Sequence, residues 1–332
     1  MNASPLLSRI GLTILPVFAL IYAGCGKPQS DTVVTEDGRT LTRVVLQTDW
    51  YAQPEHGGFY EAMLSGLYED AGLAVTINQG GPGAYPIEKV VSGRANFSIG
   101  RVDDIVTYAD QGKPFVIVGV FMQHDPQAIM LHASNPIKGF ADLDGKTVMA
   151  IPGSNWLKGI EKKFDVTIPE MAHDYGMERF LADPGYIQQC FVTNEPYYVE
   201  KNGIDVKTLL ISDSGFDPYR VIYTTRDYAD ANPEIVKAFV DASVKGWVRY
   251  MKTAPSDSTN THLISLNLKL DLEFVAYSME TMTELQLISG DPDKGDYIGR
   301  FEPTRIQQSI DDLNEIGALE TEVTLEQVIW QH

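Results

Sequence analysis

The residues "RVVLQTDWYAQPEHGGFYEAMLSGLYEDAGLAVTINQ" (Arg43–Gln79) hold one complete strand, loop, helix and strand. "RVVLQT" is a short β-rich run, "GGFYEAMLSGLYEDAG" spaces its apolar residues as a helix does and stops on Gly72, and "AVTINQ" is β-rich again. The loop between the first strand and the helix carries Trp50, Tyr51, Pro54 and His56, more bulk than a chain reversal needs. Either these side chains plug the core, or they stand at the mouth of a pocket for something flat.

The same rhythm continues outward. "PIEKVVSG" and "VDDIVTYADQG" predict helices, and "NFSIG" and "FVIVGVFM" predict strands. After "QHDPQAIMLHASNPI" it restarts, with strands at "DLDGKTVMAI", "VTIPEMA", "QCFVT", "VKTLLIS" and "RVIYTT" and helices at "SNWLKGIEKKF" and "MERFLAD". The last third is mostly helical. Alternation of this kind predicts parallel strands with helices on both faces, an α/β class. Two such units imply a discontinuous first lobe (42–124 and 222–332) and a second lobe (130–217). Two hinge crossings, near 123–130 and 213–220, would let the lobes close over a ligand.

With 332 residues, 44% hydrophobic and 21% charged, the chain can bury a sizeable core. A net charge of −19 argues against nucleic acid, whose backbone needs clustered Lys and Arg. "MNASPLLSR" followed by the apolar run "IGLTILPVFALIYA" and then "GCGK" has the layout of a signal peptide over 1–24. Ile21-Tyr22-Ala23-Gly24-Cys25 resembles a lipoprotein cleavage box, with Tyr22 where such boxes prefer Leu, and makes Cys25 the expected lipid-bearing residue. The polar stretch at 25–41 then reads as a tether to a membrane. Cys190 is left as the only cysteine of the mature body, so no disulfide is expected. The six histidines show no metal-ligand spacing, and no catalytic elbow or zinc motif is present.

In α/β folds ligands sit where strands end and helices begin, so the loops after strands supply the candidates. Trp50 offers a face for stacking a planar ring, or is core; Asp49 accepts from a ligand amine, or caps a helix. Tyr51 stands beside them. His56, with Gly57 next to it, either bonds a ligand through a ring nitrogen or packs at the start of the helix. The loop "GGPGAYP", with Gly83 at its centre, lets backbone approach a ligand or simply connects. Arg101 is the basic residue of a candidate first-lobe loop. In "IPGSNW", Ser154 and Asn155 suit either an N-cap or an oxygen-binding helix start. "QCFVTNEPYYVEKNG" contributes Asn194, Glu195 and Tyr197, with either Tyr197 or Tyr198 turned to the core. Tyr219, in "DSGFDPYR", is hinge or cleft wall. Aromatic rings with a few carboxylates suit a flat, neutral or cationic heterocycle better than a small anion.

These residues also carry a resemblance. "TDWYAQPEHGGFYEAMLSGLYEDAGLAVTI", "SGRANFSIG", "FADLDGKTVMAIPGS" and "TTRDYADANPEIVKAFVDASVKGW" are similar, in order and spacing, to the solute-binding proteins of thiamine-pyrimidine, riboflavin, sulfonate and taurine ABC importers. The resemblance implies a type II periplasmic-binding-protein fold and a lipid-anchored extracytoplasmic monomer that serves an ABC permease and ATPase. It implies no cofactor and no chemistry. The His-bearing first loop is nearest the branch that binds pyrimidine precursors of thiamine, which ranks that ligand first, riboflavin second and sulfonates third. Sulfonate-type relatives use a helix start like that at Ser154 to hold their ligand. That branch also includes a pyrimidine synthase that consumes its own histidine and a bound pyridoxal phosphate. Here Gly100 and Asp104 stand where the synthase has its reactive Lys and His, and the cysteine cluster is missing. Without the amine no Schiff base forms, so the enzyme reading fails. A sensor on the same fold is the remaining alternative.

Overall fold

The computed structural model describes residues 32–331. The expected signal peptide, Cys25 and the start of the tether lie outside the described residues. Among the described residues eleven strands form two mixed sheets. The first sheet contains β1 (Thr32–Val34), β2 (Thr40–Gln47), β3 (Leu73–Asn78), β4 (Phe97–Arg101), β5 (Phe115–Met122) and, from late in the chain, β11 (Arg220–Thr225). Its order is β1-β2-β4-β11-β5, with β3 also on β2. The second sheet contains β6 (Gln127–His132), β7 (Val148–Ala150), β8 (Glu170–Ala172), β9 (Gln188–Phe191) and β10 (Val206–Leu210), in the order β10-β6-β9-β7-β8.

The alternation predicts parallel strands, and β2–β3, β2–β4, β7–β8 and β7–β9 are parallel. The other pairs are antiparallel, for a physical reason. A parallel neighbour requires a crossover, usually a helix. β6 and β11 are each reached from the other sheet by a direct link, residues 123–126 and 211–219, so no crossover fixes their direction. β6 therefore runs antiparallel to β9 and β10, and β11 antiparallel to β4 and β5.

Residues 32–41 correct the tether expectation. Thr32–Val34 pairs antiparallel with Thr40–Thr42, and the reversal between them turns at Gly38, whose φ is +86°. The β-branched run Thr32-Val33-Val34 suits a strand, so the sheet begins earlier than polarity alone suggested.

The helix Gly57–Leu64 packs against the long helix Pro233–Tyr250. Trp247 is fully buried there, edge-on to Phe59 (5.8 Å) and stacked on Phe121 (5.8 Å). A Cβ on Gly57 would fall 2.0 Å from the Tyr250 ring, and one on Gly58 2.1 Å from Trp247. The two glycines are there for close helix contact. Among the described residues no helix is long and apolar enough to cross a membrane.

Candidate functional site

The parallel strands of both sheets end at a common cavity of about 610 Å³, within the ~300–1,000 Å³ range of small-molecule sites. Loops following β2, β3, β7, β8 and β9 form its walls. Of the residues singled out in the sequence, Asp49, Trp50, Gly83, Arg101, Ser154, Asn194 and Glu195 line it.

The polar floor is a set of closed ion pairs. Arg220, at the start of β11, contacts Asp49 Oδ2 and faces Asp125 Oδ2 at 3.6 Å. Burial pushes the Asp49 carboxyl up, but the Arg220 guanidinium and a hydrogen bond from His56 outweigh it and hold the group at about 2. An ionised carboxylate only accepts, so His56 Nε2 donates to Asp49 Oδ1 at 3.0 Å. Arg101 donates to Gln127 Oε1, to Asp103 Oδ2 (3.0 Å) and to Asp104 Oδ1 (3.4 Å). Burial raises Asp103 to about 7 even though Arg101 lies against it. Both guanidinium groups are therefore committed to carboxylates of the protein.

Glu195 opens the helix Glu195–Lys201 and accepts the N–H of Phe191 at 2.8 Å. Burial raises its carboxyl to about 7, with those backbone donors opposing only in part. The apolar side of the cavity is aromatic. Trp50 stacks with Tyr175 (centroids 5.5 Å apart, planes at 29°), while Tyr85, Tyr108, Phe191 and Tyr223 also line the cavity.

Six expected residues do not line the cavity. Tyr51 is 43% exposed, meets Trp50 edge-on and shields Gly81. His56 is buried beneath the floor as the partner of Asp49. Gly57 serves the helix contact described above. Asn155 is buried and donates to Asp103 Oδ2 and Thr107 Oγ1, both at 3.3 Å. Tyr197 lies two residues beyond Glu195, about 200° around the helix, so its hydroxyl reaches Asp271 Oδ1 (3.0 Å) instead of the cavity. Tyr198 is no alternative, because it stacks on Phe274. Tyr219 is 1% exposed, with the Arg305 guanidinium 4.0 Å above its ring.

Sequence reading missed Arg220, Gln127, His173 and Tyr175. "HDYG" (His173–Gly176) follows a predicted strand and qualified by the rule that picked the other loops. Arg220 was counted as hinge although it heads the strand that returns to the first sheet.

The model of the family described as "NMT1/THI5 like" matches residues 53–258, more than half of the chain. The chain belongs to the NMT1/THI5-like family. This NMT1/THI5-like chain is 24% identical over 261 residues to the riboflavin-binding protein RibY of Chloroflexus aurantiacus, covering 71% of this chain and 72% of that one. It is 25% identical over 107 residues to 4-amino-5-hydroxymethyl-2-methylpyrimidine phosphate synthase of Legionella pneumophila, over only 32% of this chain and 34% of the synthase. Among solved structures, the periplasmic aliphatic sulphonate-binding protein SsuA of Escherichia coli superposes with a TM-score of 0.64 at 17% identity, covering 87% of this chain and 92% of its own. That likeness establishes the periplasmic-binding-protein fold and, at such low identity, no more.

Proposed function

We propose that this protein is the extracytoplasmic solute-binding component of an ABC importer, lipid-anchored through Cys25, and that its cavity takes a planar, uncharged or cationic heterocycle. One observation carries the ligand class: both guanidinium groups in the cavity are already paired with carboxylates, beside an aromatic wall. A sulfonate or nitrate would have to break Arg220–Asp49 or Arg101–Asp103 to gain a partner, exposing a buried charge. A flat ring gains Trp50 without that loss, and its donors meet Glu195 and Asp104. The lobes of the sequence reading, 42–124 with 222–332 and 130–217, would close about the links at 123–126 and 211–219.

Binding is favoured over conversion. Gly100 and Asp104 both line the cavity, at the places where the resemblance puts a reactive Lys and His, and no lysine lines it among the described residues. Within the ring class, two observations raise riboflavin above the pyrimidine precursor first expected. A volume of about 610 Å³ leaves a single pyrimidine loosely held, and the relative matched over 71% of this chain is named for riboflavin.

Thermal unfolding with riboflavin, 4-amino-5-hydroxymethyl-2-methylpyrimidine and an alkanesulfonate tests this reading. A ligand at a hundred times its Kd adds about 2.7 kcal/mol. One of the two rings is expected to raise Tm and the sulfonate to leave it unchanged, and Trp50→Ala is expected to weaken ring binding tenfold or more. A shift from the sulfonate alone overturns the ligand class and leaves the fold untouched.

A further inference from the structure

The turn His173–Gly176, which follows β8, places an aromatic ring on the stacking surface that the reading above gives to the ligand. Two side chains shape that turn: His173 Nδ1 accepts the N–H of Tyr175 at 2.9 Å, and Asp174 Oδ1 accepts that of Gly176 at 3.0 Å. Tyr175 sits at φ +60°, in the left-handed region that bulky residues seldom occupy. The conformation lays its ring on Trp50, and the His173 ring lies tilted beside it with centroids 5.0 Å apart. Yet Tyr175 is 55% exposed and belongs to no core. Trp50 and Tyr175 reach each other from loops after β2 and β8, strands of different sheets.

We propose that Tyr175 is a specificity-determining residue of this site. In the ligand-free protein it occupies the Trp50 face on which a ligand ring stacks; it yields that face to the incoming ring and then covers the ring's far side. The proposal rests on the planar-ring reading. Contact on both faces at roughly 3.5 Å needs the two aromatic planes about 7 Å apart. The two rings already stack on each other, with centroids 5.5 Å apart, so Tyr175 has to move outward by about one ring thickness, roughly 3.5 Å, to admit a ring. Its solvent-facing side leaves room for that movement, and leaving the strained turn is not opposed by core packing. A flat aromatic regains contact with both rings. A tetrahedral or puckered head group is too thick for the gap and loses one of them, so Tyr175 selects for flatness.

Two measurements test this. The first uses no ligand: acrylamide quenching of Trp50, isolated by subtracting the signal of the Trp50→Phe protein. Tyr175→Ala is expected to raise the Trp50 quenching constant about twofold or more, and Tyr175→Phe to restore it. Unchanged quenching in Tyr175→Ala overturns the proposal. The second is stopped-flow binding of riboflavin and of 4-amino-5-hydroxymethyl-2-methylpyrimidine. With the competitor and cover removed, Tyr175→Ala is expected to bind about threefold faster and release about tenfold faster, again rescued by Tyr175→Phe. Unchanged release overturns the covering role. If neither probe binds the wild-type protein, the planar-ring reading has failed, and the quenching result alone decides whether Tyr175 shields Trp50.

Discussion

Glu195→Gln is expected to stabilise this protein at pH 8 and to leave it unchanged near pH 4. Burial raises the Glu195 carboxyl from the ordinary 4.5 to about 7, and the nearby Glu55 carboxylate adds to that, while the N–H of Phe191 opposes it. Below pH 4.5 the group is protonated in folded and unfolded chains alike and contributes nothing. Between 4.5 and about 7 the unfolded chain releases its proton while the folded chain keeps it, so stability falls as pH rises. Above 7 the carboxylate is charged in both states and the full penalty is present. A shift of that size corresponds to roughly 3 kcal/mol at 1.36 kcal/mol per pH unit. Solvent reaching the cavity wall reduces the figure to about 1–2 kcal/mol. Glutamine keeps an oxygen for the Phe191 N–H and never ionises, so the variant avoids the penalty. Urea unfolding of both proteins at pH 4.5, 6 and 8 gives the comparison, with the gap expected to open across that range. A gap that does not widen with pH would show that Glu195 is well solvated when charged.

Three further outcomes follow from the same contacts. Gly58→Ala forces a methyl into the Trp247 ring, a 2.1 Å approach, and should cost about 1–3 kcal/mol in urea unfolding while leaving cavity binding intact in the folded fraction; a neutral result would mean that the helix pair has slack. Asp49→Asn leaves Arg220 with Asp125 alone at 3.6 Å and should cost about 3 kcal/mol at pH 7. Because the folded Asp49 sits at about 2, below its unfolded value of about 3.9, its contribution is complete above pH 4 and lost as pH falls toward 2. The variant should accordingly lose less stability than the wild type across that acid range. Arg305 donates to Gln123 O (2.6 Å), to Asp217 O (3.0 Å) and to Asp217 Oδ2 (2.8 Å), joining both links between the sheets. Arg305→Ala should speed amide exchange at 123–126 and 215–219 several-fold, and unchanged exchange there would refute a hinge at these links.

What was legible in the sequence was whatever depends on local period. Alternating β-rich and helical runs sufficed for β2, the helix Gly57–Leu64 and β3, because a half-buried strand and a one-faced helix write their burial into spacing. β6 escaped because "QAIMLH" has neither an alternation to read nor the β-branched run that marks "FVIVGVFM", and because its neighbours are set by a jump between sheets. The short strand Thr32–Val34 escaped for the opposite reason: only its pairing with β2 marks it as structure.

The site was legible as a set of loops and opaque as a set of side chains. Choosing loops after strands picked out Asp49, Trp50, Gly83, Arg101, Ser154, Asn194 and Glu195, which line one cavity. Loop membership does not fix direction, however. Within one helix, Glu195 faces the cavity and Tyr197 faces Asp271, because 100° per residue separates them. The same limit hid the charge balance. Arg101 stood out as a lone cation, and nothing in its neighbourhood named Gln127, across the gap in the second sheet, as a partner. Arg220 and Asp49 lie far apart in sequence, yet their contact removes the free positive charge that an anion would need. Ligand charge in this fold is therefore decided by pairings between distant segments. A guanidinium with fewer carboxylates around it would favour an anion, so replacing Asp49 or Asp103 by a neutral residue, which leaves Arg220 with Asp125 alone or Arg101 with Asp104 alone, is the change most able to make this cavity accept one.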